Sequence, residues 1–270
     1  INFKYRMHDP RLGRFFAVDP LTAKYPFYSP YAFSGNRVID MVELEGLEPS
    51  PSEAAGMAAD VYEPSGSGVS GGWEISALQV EGVQTNNANT GFKSSLYERT
   101  VEGVTEYSYV TAGTDMTSGL DWENNINQAT VGKSKQYQQS VNNARLLDEA
   151  LGGSTLTFVG HSLGGGEASA NALATGRDAI TFNAAGLSQN TKDNLKLNMT
   201  AKIDAYIVQG EVVNAAQSLI GITAEGTQHK LSSTQYQISI FGYEPLKKYN
   251  SVMDHMMESV IKSMKRDGVE

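Results

Sequence analysis

The chain has 270 residues, no cysteine and a formal net charge of −9. The lack of cysteine excludes a disulfide framework and thiolate metal sites, and the acidic balance repels a phosphate backbone, so nucleic acid is not an expected partner. No apolar run approaches the ~20 residues that span a bilayer; the chain does not read as an integral membrane protein, and contact with a membrane surface should be local and transient.

Residues 1–49 are neutral, with six Lys/Arg against six Asp/Glu, and rich in aromatic and turn residues. Tyr5, Phe15, Phe16, Tyr25, Phe27, Tyr28, Tyr31 and Phe33 interleave with Asp9-Pro10, Asp19-Pro20, Tyr25-Pro26 and Ser29-Pro30. Short strands and proline turns fit this pattern better than helices do. The chain opens at Ile1 inside what reads as a structured motif, as a piece of a longer polypeptide would. Residues 50–72 are rich in Pro, Ser, Gly and Ala and read as a linker or boundary, with one short helix over 52–62.

Residues 73–270 read as one α/β unit. Trp73 to Val83, Phe92 to Val101 and Val104 to Thr111 alternate apolar and polar residues, as half-buried strands do. Tyr137, Val141, Ala144, Leu147 and Leu151 mark one face of a helix, which Gly152-Gly153 ends. Leu156 to Val159 is a buried strand, and a small-residue helix follows over 163–175, stopped by Gly176. Strands at 179–183 and 205–209 and an amphipathic helix over 252–265 complete the pattern. Alternation of strand and helix predicts a mostly parallel sheet flanked by helices.

The chemistry centres on Gly160-His161-Ser162-Leu163-Gly164, a G-x-S-x-G turn between a strand and a helix. Flanking glycines let the backbones approach closely, so the serine stands at the helix N-terminus, at the carboxyl end of the strand. The N–H of Leu163 points to the same place and can bind an oxyanion. A serine nucleophile needs a base, and the base an orienting acid, in the chain order Ser, Asp/Glu, His. Tyr206 to Gln209 is a strand that ends in Gly210-Glu211, which makes Glu211 the acid; Asp204, before that strand, reads as a surface charge. His255 opens the last helix after a loop and is favoured as the base over His229, which looks like part of a turn ahead of a strand at 236–241. His161 should pack or bond locally. The strand ending at Thr111-Ala112-Gly113-Thr114 suits a second oxyanion donor at Thr114, or a simple hairpin turn. The histidines are scattered and no H-E-x-x-H occurs, so no metal or other cofactor is expected.

Gly113-Thr114, Asp121-Trp122, Ile126, Gly160 to Gly165, Thr181-Phe182-Asn183-Ala184-Ala185-Gly186 and the strand ending at Glu211 together resemble the class 3 lipase family over roughly residues 53–265. The resemblance implies an α/β-hydrolase fold and esterase activity on acylglycerols or phospholipids. It also implies a Ser-Asp-His triad and a mobile lid, here within 115–135. Ser162 carries over as nucleophile, His255 as base and Thr114 as oxyanion residue. This chain departs from the family in having Glu211 for the usual Asp, and Thr111-Ala112 where an Arg or His usually precedes the Gly-Thr.

The N-terminal segment has a resemblance of its own. Asp9 to Phe15, Val18-Asp19-Pro20-Leu21 and Ser29 to Arg37 are similar to the rearrangement-hot-spot (Rhs) repeat-associated core. That implies a short β-rich fragment, the end of an Rhs shell, over residues 1–49, with a toxin domain after it. It also implies self-cleavage near Leu47, with Asp19 and Asp40 as the nearby carboxylates, although Glu45-Gly46-Leu47 lacks the family's Asp-Pro. The combined expectation is an exported polymorphic toxin, secreted or delivered into a target cell. Its substrate would be a lipid or phospholipid, and its partners an immunity protein and the Rhs shell of the parent chain. The alternatives are a general serine esterase or thioesterase, and a catalytically inactive shell or binding module.

Overall fold

In the computed structural model the described residues are 48–66, 69–101, 103–113, 135–218, 221–233 and 255–270, together with the backbone of two short N-terminal strands. Those two, β1 (His8–Asp9) and β2 (Arg14–Phe15), pair antiparallel, the short-strand structure expected there.

The centre of the hydrolase unit is a parallel ladder: β6 (Val104–Thr111), β7 (Thr155–His161), β8 (Ala179–Phe182), β9 (Ile203–Val208) and β10 (Thr227–Leu231), side by side in sequence order. β5 (Phe92–Val101) joins the β6 edge antiparallel, and the two-residue strands β3 (Glu74–Ile75) and β4 (Asn86–Asn87) pair with β5. β7 is buried along its whole length, as a central strand covered on both faces must be. Its side chains alternate between two cores. Val159 packs with Val110, Ile180 and Phe182 against helices α1 (Pro51–Asp60) and α6 (Met257–Asp267). Phe158 packs with Leu156, Tyr109 and Leu96 against α2 (Lys135–Leu151) and α3 (Leu163–Thr175). α3 is built from small residues and is buried nearly all round, so it can lie close to both α2 and the sheet. Gly176, in the left-handed region, ends it where expected. Short helices α4 (Gln189–Leu195) and α5 (Val212–Ser218) follow β8 and β9. The result is the α/β-hydrolase-like arrangement that the sequence pattern predicts.

The structure departs from that pattern in several places. Of Trp73 to Val83 only Glu74–Ile75 is strand, because the segment runs along the exposed edge of the sheet and most of it makes no ladder. Within 50–72, expected to be a linker, the short helix expected over 52–62 is present as α1, and it is no tether. Its N-terminus is closed by a capping box between Ser50 and Glu53, and Ala54, Ala55, Met57 and Ala58 enter the core. Glu53 also pairs with the buried Arg99 at 3.0 Å; Arg99 contacts Glu106 on its other side and lies over the Trp73 ring. His229 lies within β10 rather than in a turn, since 227–231 can add to the parallel ladder beside β9. The last helix begins at Met257 rather than 252; the strand expected at 236–241 and the lid expected within 115–135 lie outside the described residues.

Candidate active site

At the end of β7 the chain reverses into α3 within one residue. Ser162 carries that reversal at φ 58° and ψ −125°, a conformation costly for any residue with a Cβ. The glycines around it make it possible. A Cβ on Gly160 would run into the Gly164 backbone, and one on Gly164 into the Thr111 carbonyl. Ser162 is held at both backbone ends: its N–H donates to the Phe182 carbonyl at 3.0 Å, and its carbonyl accepts from Ala185 N–H at 2.9 Å.

Three residues expected from the sequence come together here. Ser162 Oγ lies 2.8 Å from His255 Nε2, and His255 Nδ1 lies 2.5 Å from Glu211 Oε2. The carboxylate can only accept, so Nδ1 carries the proton and Nε2 is left to accept from the serine hydroxyl. Ser162, His255 and Glu211 are 2%, 0% and 1% exposed, so the chain of contacts is sealed from bulk water. Glu211 stands at the turn before α5 and binds that helix's first backbone groups. Its two oxygens accept from Val213 N–H at 2.9 Å and Asn214 N–H at 2.6 Å, and the Asn214 side chain adds a further donor. A helix N-terminus favours negative charge, and these donors fix the carboxylate's direction toward the imidazole.

Leu163 is the first residue of α3, so its N–H has no acceptor within the helix and lies beside the serine. Gly113 packs against Ser162: a Cβ on it would sit 3.0 Å from the serine Cβ. Gly113, which precedes the expected second oxyanion donor, therefore reaches the serine, while Thr114 itself lies outside the described residues, as do Asp19, Asp40 and Leu47. Asp204 is not at this site; it bonds His229 at 2.7 Å, and the two lie on β9 and β10, two and three strands away from β7 and Ser162. Sequence reasoning missed two contributors. Asn183 Nδ2 donates to the His255 carbonyl at 3.0 Å, and Tyr62 reaches into the elbow from just beyond α1. Tyr62 carries no motif that could have flagged it. Among the described residues no group of three or more His, Asp or Glu could hold a metal ion.

Residues 53–252 match the Tle-like phospholipase domain. The chain belongs to that family. It is also 31% identical over 224 residues to an extracellular phospholipase A1 of Serratia liquefaciens, a match covering 77% of this chain and 68% of the relative. Among solved structures it is similar to a triacylglycerol lipase from Penicillium expansum, at 15% identity and TM-score 0.45, covering 67% of this chain and 78% of that one. A Rhizomucor miehei lipase–propeptide complex matches at 11% identity and TM-score 0.49, covering 67% and 66%. As a member of the Tle-like phospholipase family the chain is an ester hydrolase acting on lipids.

Proposed function

We propose that this domain is a phospholipase A that works through Ser162, His255 and Glu211. The observation that carries the reading is the unbroken contact from Ser162 Oγ through the His255 ring to Glu211. In the first step Ser162 Oγ attacks the carbonyl carbon of a fatty-acyl ester while His255 Nε2 takes the hydroxyl proton. Glu211 balances the imidazolium that forms. The carbonyl oxygen becomes an oxyanion, met by the Leu163 N–H and by Thr114. Collapse breaks the ester bond, and the departing glycerol oxygen takes the proton from Nε2, leaving the acyl group on Ser162. A water then repeats the sequence: His255 takes its proton, its oxygen attacks the acyl carbon, and the fatty acid leaves as the proton returns to Ser162. The relative's activity, phospholipase A1, favours the first glycerol position as the ester cleaved.

The wider reading is a secreted toxin. Residues 1–49 resemble an Rhs shell end, a lipid-destroying domain has to be kept from its producer's membranes, and the curated relative is extracellular. Among the described residues no helix is long and apolar enough to cross a membrane. Enclosure in the shell, release near Leu47 with Asp19 and Asp40 taking part, and an immunity protein in the producer belong to this reading.

The test is hydrolysis of mixed-chain phosphatidylethanolamine vesicles, with the released fatty acid identified by mass. The expected product is the first-position fatty acid, and Ser162→Ala should lower its formation by on the order of 10⁶. Release of the headgroup instead, or a Ser162→Ala chain with a tenth of the parent rate, would overturn the assignment.

A further inference from the structure

His161 is spent by neither the nucleophile nor its base, yet it is fully buried between them. Its Nε2 lies 2.6 Å from the His255 carbonyl, and its Nδ1 lies 2.9 Å from the Tyr62 hydroxyl. A carbonyl only accepts, so Nε2 carries the proton. Burial, and then the neighbouring His255, push the His161 pKa down to about 3, so the ring is neutral and Nδ1 is a bare acceptor. The Tyr62 hydroxyl must therefore donate to it. The Tyr62 oxygen in turn accepts the N–H of Gly113 at 3.1 Å. The hydrogen bonds thus run in a single direction, from Gly113 N–H to Tyr62 to His161 to the His255 carbonyl.

We infer that His161 and Tyr62 are positioning residues that set the Gly113 turn and the backbone of His255 against each other across Ser162. The inference rests on the triad reading above. Both ends of the chain matter for the same transition state. Gly113 precedes the proposed oxyanion residue Thr114 and packs on the Ser162 Cβ, while the His255 carbonyl fixes where its imidazole pivots. That carbonyl has a second donor, Asn183 Nδ2, and Asn183 is anchored in turn by Val208 N–H at 2.9 Å. The base histidine follows a long stretch of chain and has two side chains clamping its backbone. One clamp, His161, is adjacent in sequence to the nucleophile, so a single elbow orients both partners. Proton transfer depends steeply on such placement, a displacement of ~1 Å costing about a hundredfold in rate.

The test compares His161→Leu with His161→Gln on a short soluble ester. Gln places an amide N–H near where Nε2 stood; Leu fills the space without a donor. The expected result is a fall in kcat of about a hundredfold for Leu, most of it recovered by Gln, with KM unchanged in both, because the clamp touches no substrate. A Leu variant that folds and keeps its kcat, or a Gln variant as slow as Leu, would overturn the inference. If Leu does not fold, Tyr62→Phe carries the test: it removes one hydroxyl, breaks the chain at its middle, and should lower kcat without moving KM. An unchanged kcat there would equally overturn it. Ser162→Ala is run alongside; an active Ser162→Ala chain would sink the triad reading itself, which is a different failure.

Discussion

Three residues carry the proposed chemistry, and each depends on the next for its protonation state. Ser162 is an ordinary alcohol until His255 Nε2 accepts its proton; Nε2 is free to accept because Glu211 holds the proton on Nδ1. Groups that act as one unit do not add when removed together. His255→Ala should therefore lower turnover about as far as Ser162→Ala, and the double variant should be no slower than either single. His229→Ala should stay near the parent rate, since His229 is half-buried on β10, bonded to Asp204 and stacked on Tyr206, away from the serine. Steady-state rates on the same ester check all four chains. A crippled His229→Ala with an active His255→Ala would move the base. Chain order alone admits His229 as well as His255; the preference for His255 rests on its expected place after a loop, at the start of the last helix. The contacts that make it a site are not legible in sequence, because they join residues 93 and 44 positions apart.

At the scale of elements, α3 carries an uncompensated group. Glu167 lies in its buried face, fully enclosed, and neither carboxyl oxygen has a hydrogen-bond partner among the described residues. Burial raises its pKa well above the ordinary 4.5, so the folded chain holds this proton more tightly than the unfolded chain does. Stability is then fully present below about pH 4.5 and is lost as pH rises from there toward the folded-state value. Glu167→Met, of similar length and without polar atoms, should stabilise the fold at pH 8 by about 1–3 kcal/mol, with a smaller gain at pH 4. Thermal midpoints of the two chains at both pH values measure this, and a gain that is equal or larger at pH 4 would contradict it. β5 and β6 are legible from their alternation of apolar and polar residues, and β7 to β9 as short, largely apolar runs that are buried nearly throughout. Trp73 to Val83 alternates as well, but its pattern only describes an edge that mostly lacks a ladder. The short helix expected over 52–62 is α1, started by the Ser50-Pro51-Ser52-Glu53 capping box; that it packs into the core is not legible, because the Pro, Ser and Gly around it suggest a linker. α5 is too short to show periodicity; the Glu211 carboxylate at its first backbone N–H groups helps hold it.

For the whole molecule, the burial of α1 decides where the hydrolase can be cut free. Its Ala54, Met57 and Ala58 sit in the core with Val260 and Met264 of α6, and Glu53 shares Arg99 with Glu106. Removing one partner of a buried pair costs about 3–5 kcal/mol, and the lost core contacts add to this. Even Pro49 is buried, and the Glu48 carbonyl receives Arg99 Nη2 at 3.4 Å. Among the described residues the packed unit thus begins at Glu48, and we propose the boundary just before it, next to the cleavage site proposed at Leu47, rather than at residue 72. A fragment of residues 48–270 should keep the parent's phospholipid hydrolysis and a cooperative thermal transition, while residues 73–270 should fail to fold. Two carboxylates that share a proton can supply an acid and a base together, which is the part proposed for Asp19 and Asp40 in release. Mass spectrometry of the longer parent, expressed with Ser162→Ala to spare the host, should then find a product that starts at or next to Glu48, and Asp19→Asn or Asp40→Asn should abolish it. An inactive 48–270 fragment would mean that residues 1–47 belong to the hydrolase fold. An active fragment beside a single uncut parent would leave the phospholipase reading standing and sink self-cleavage as the route of release.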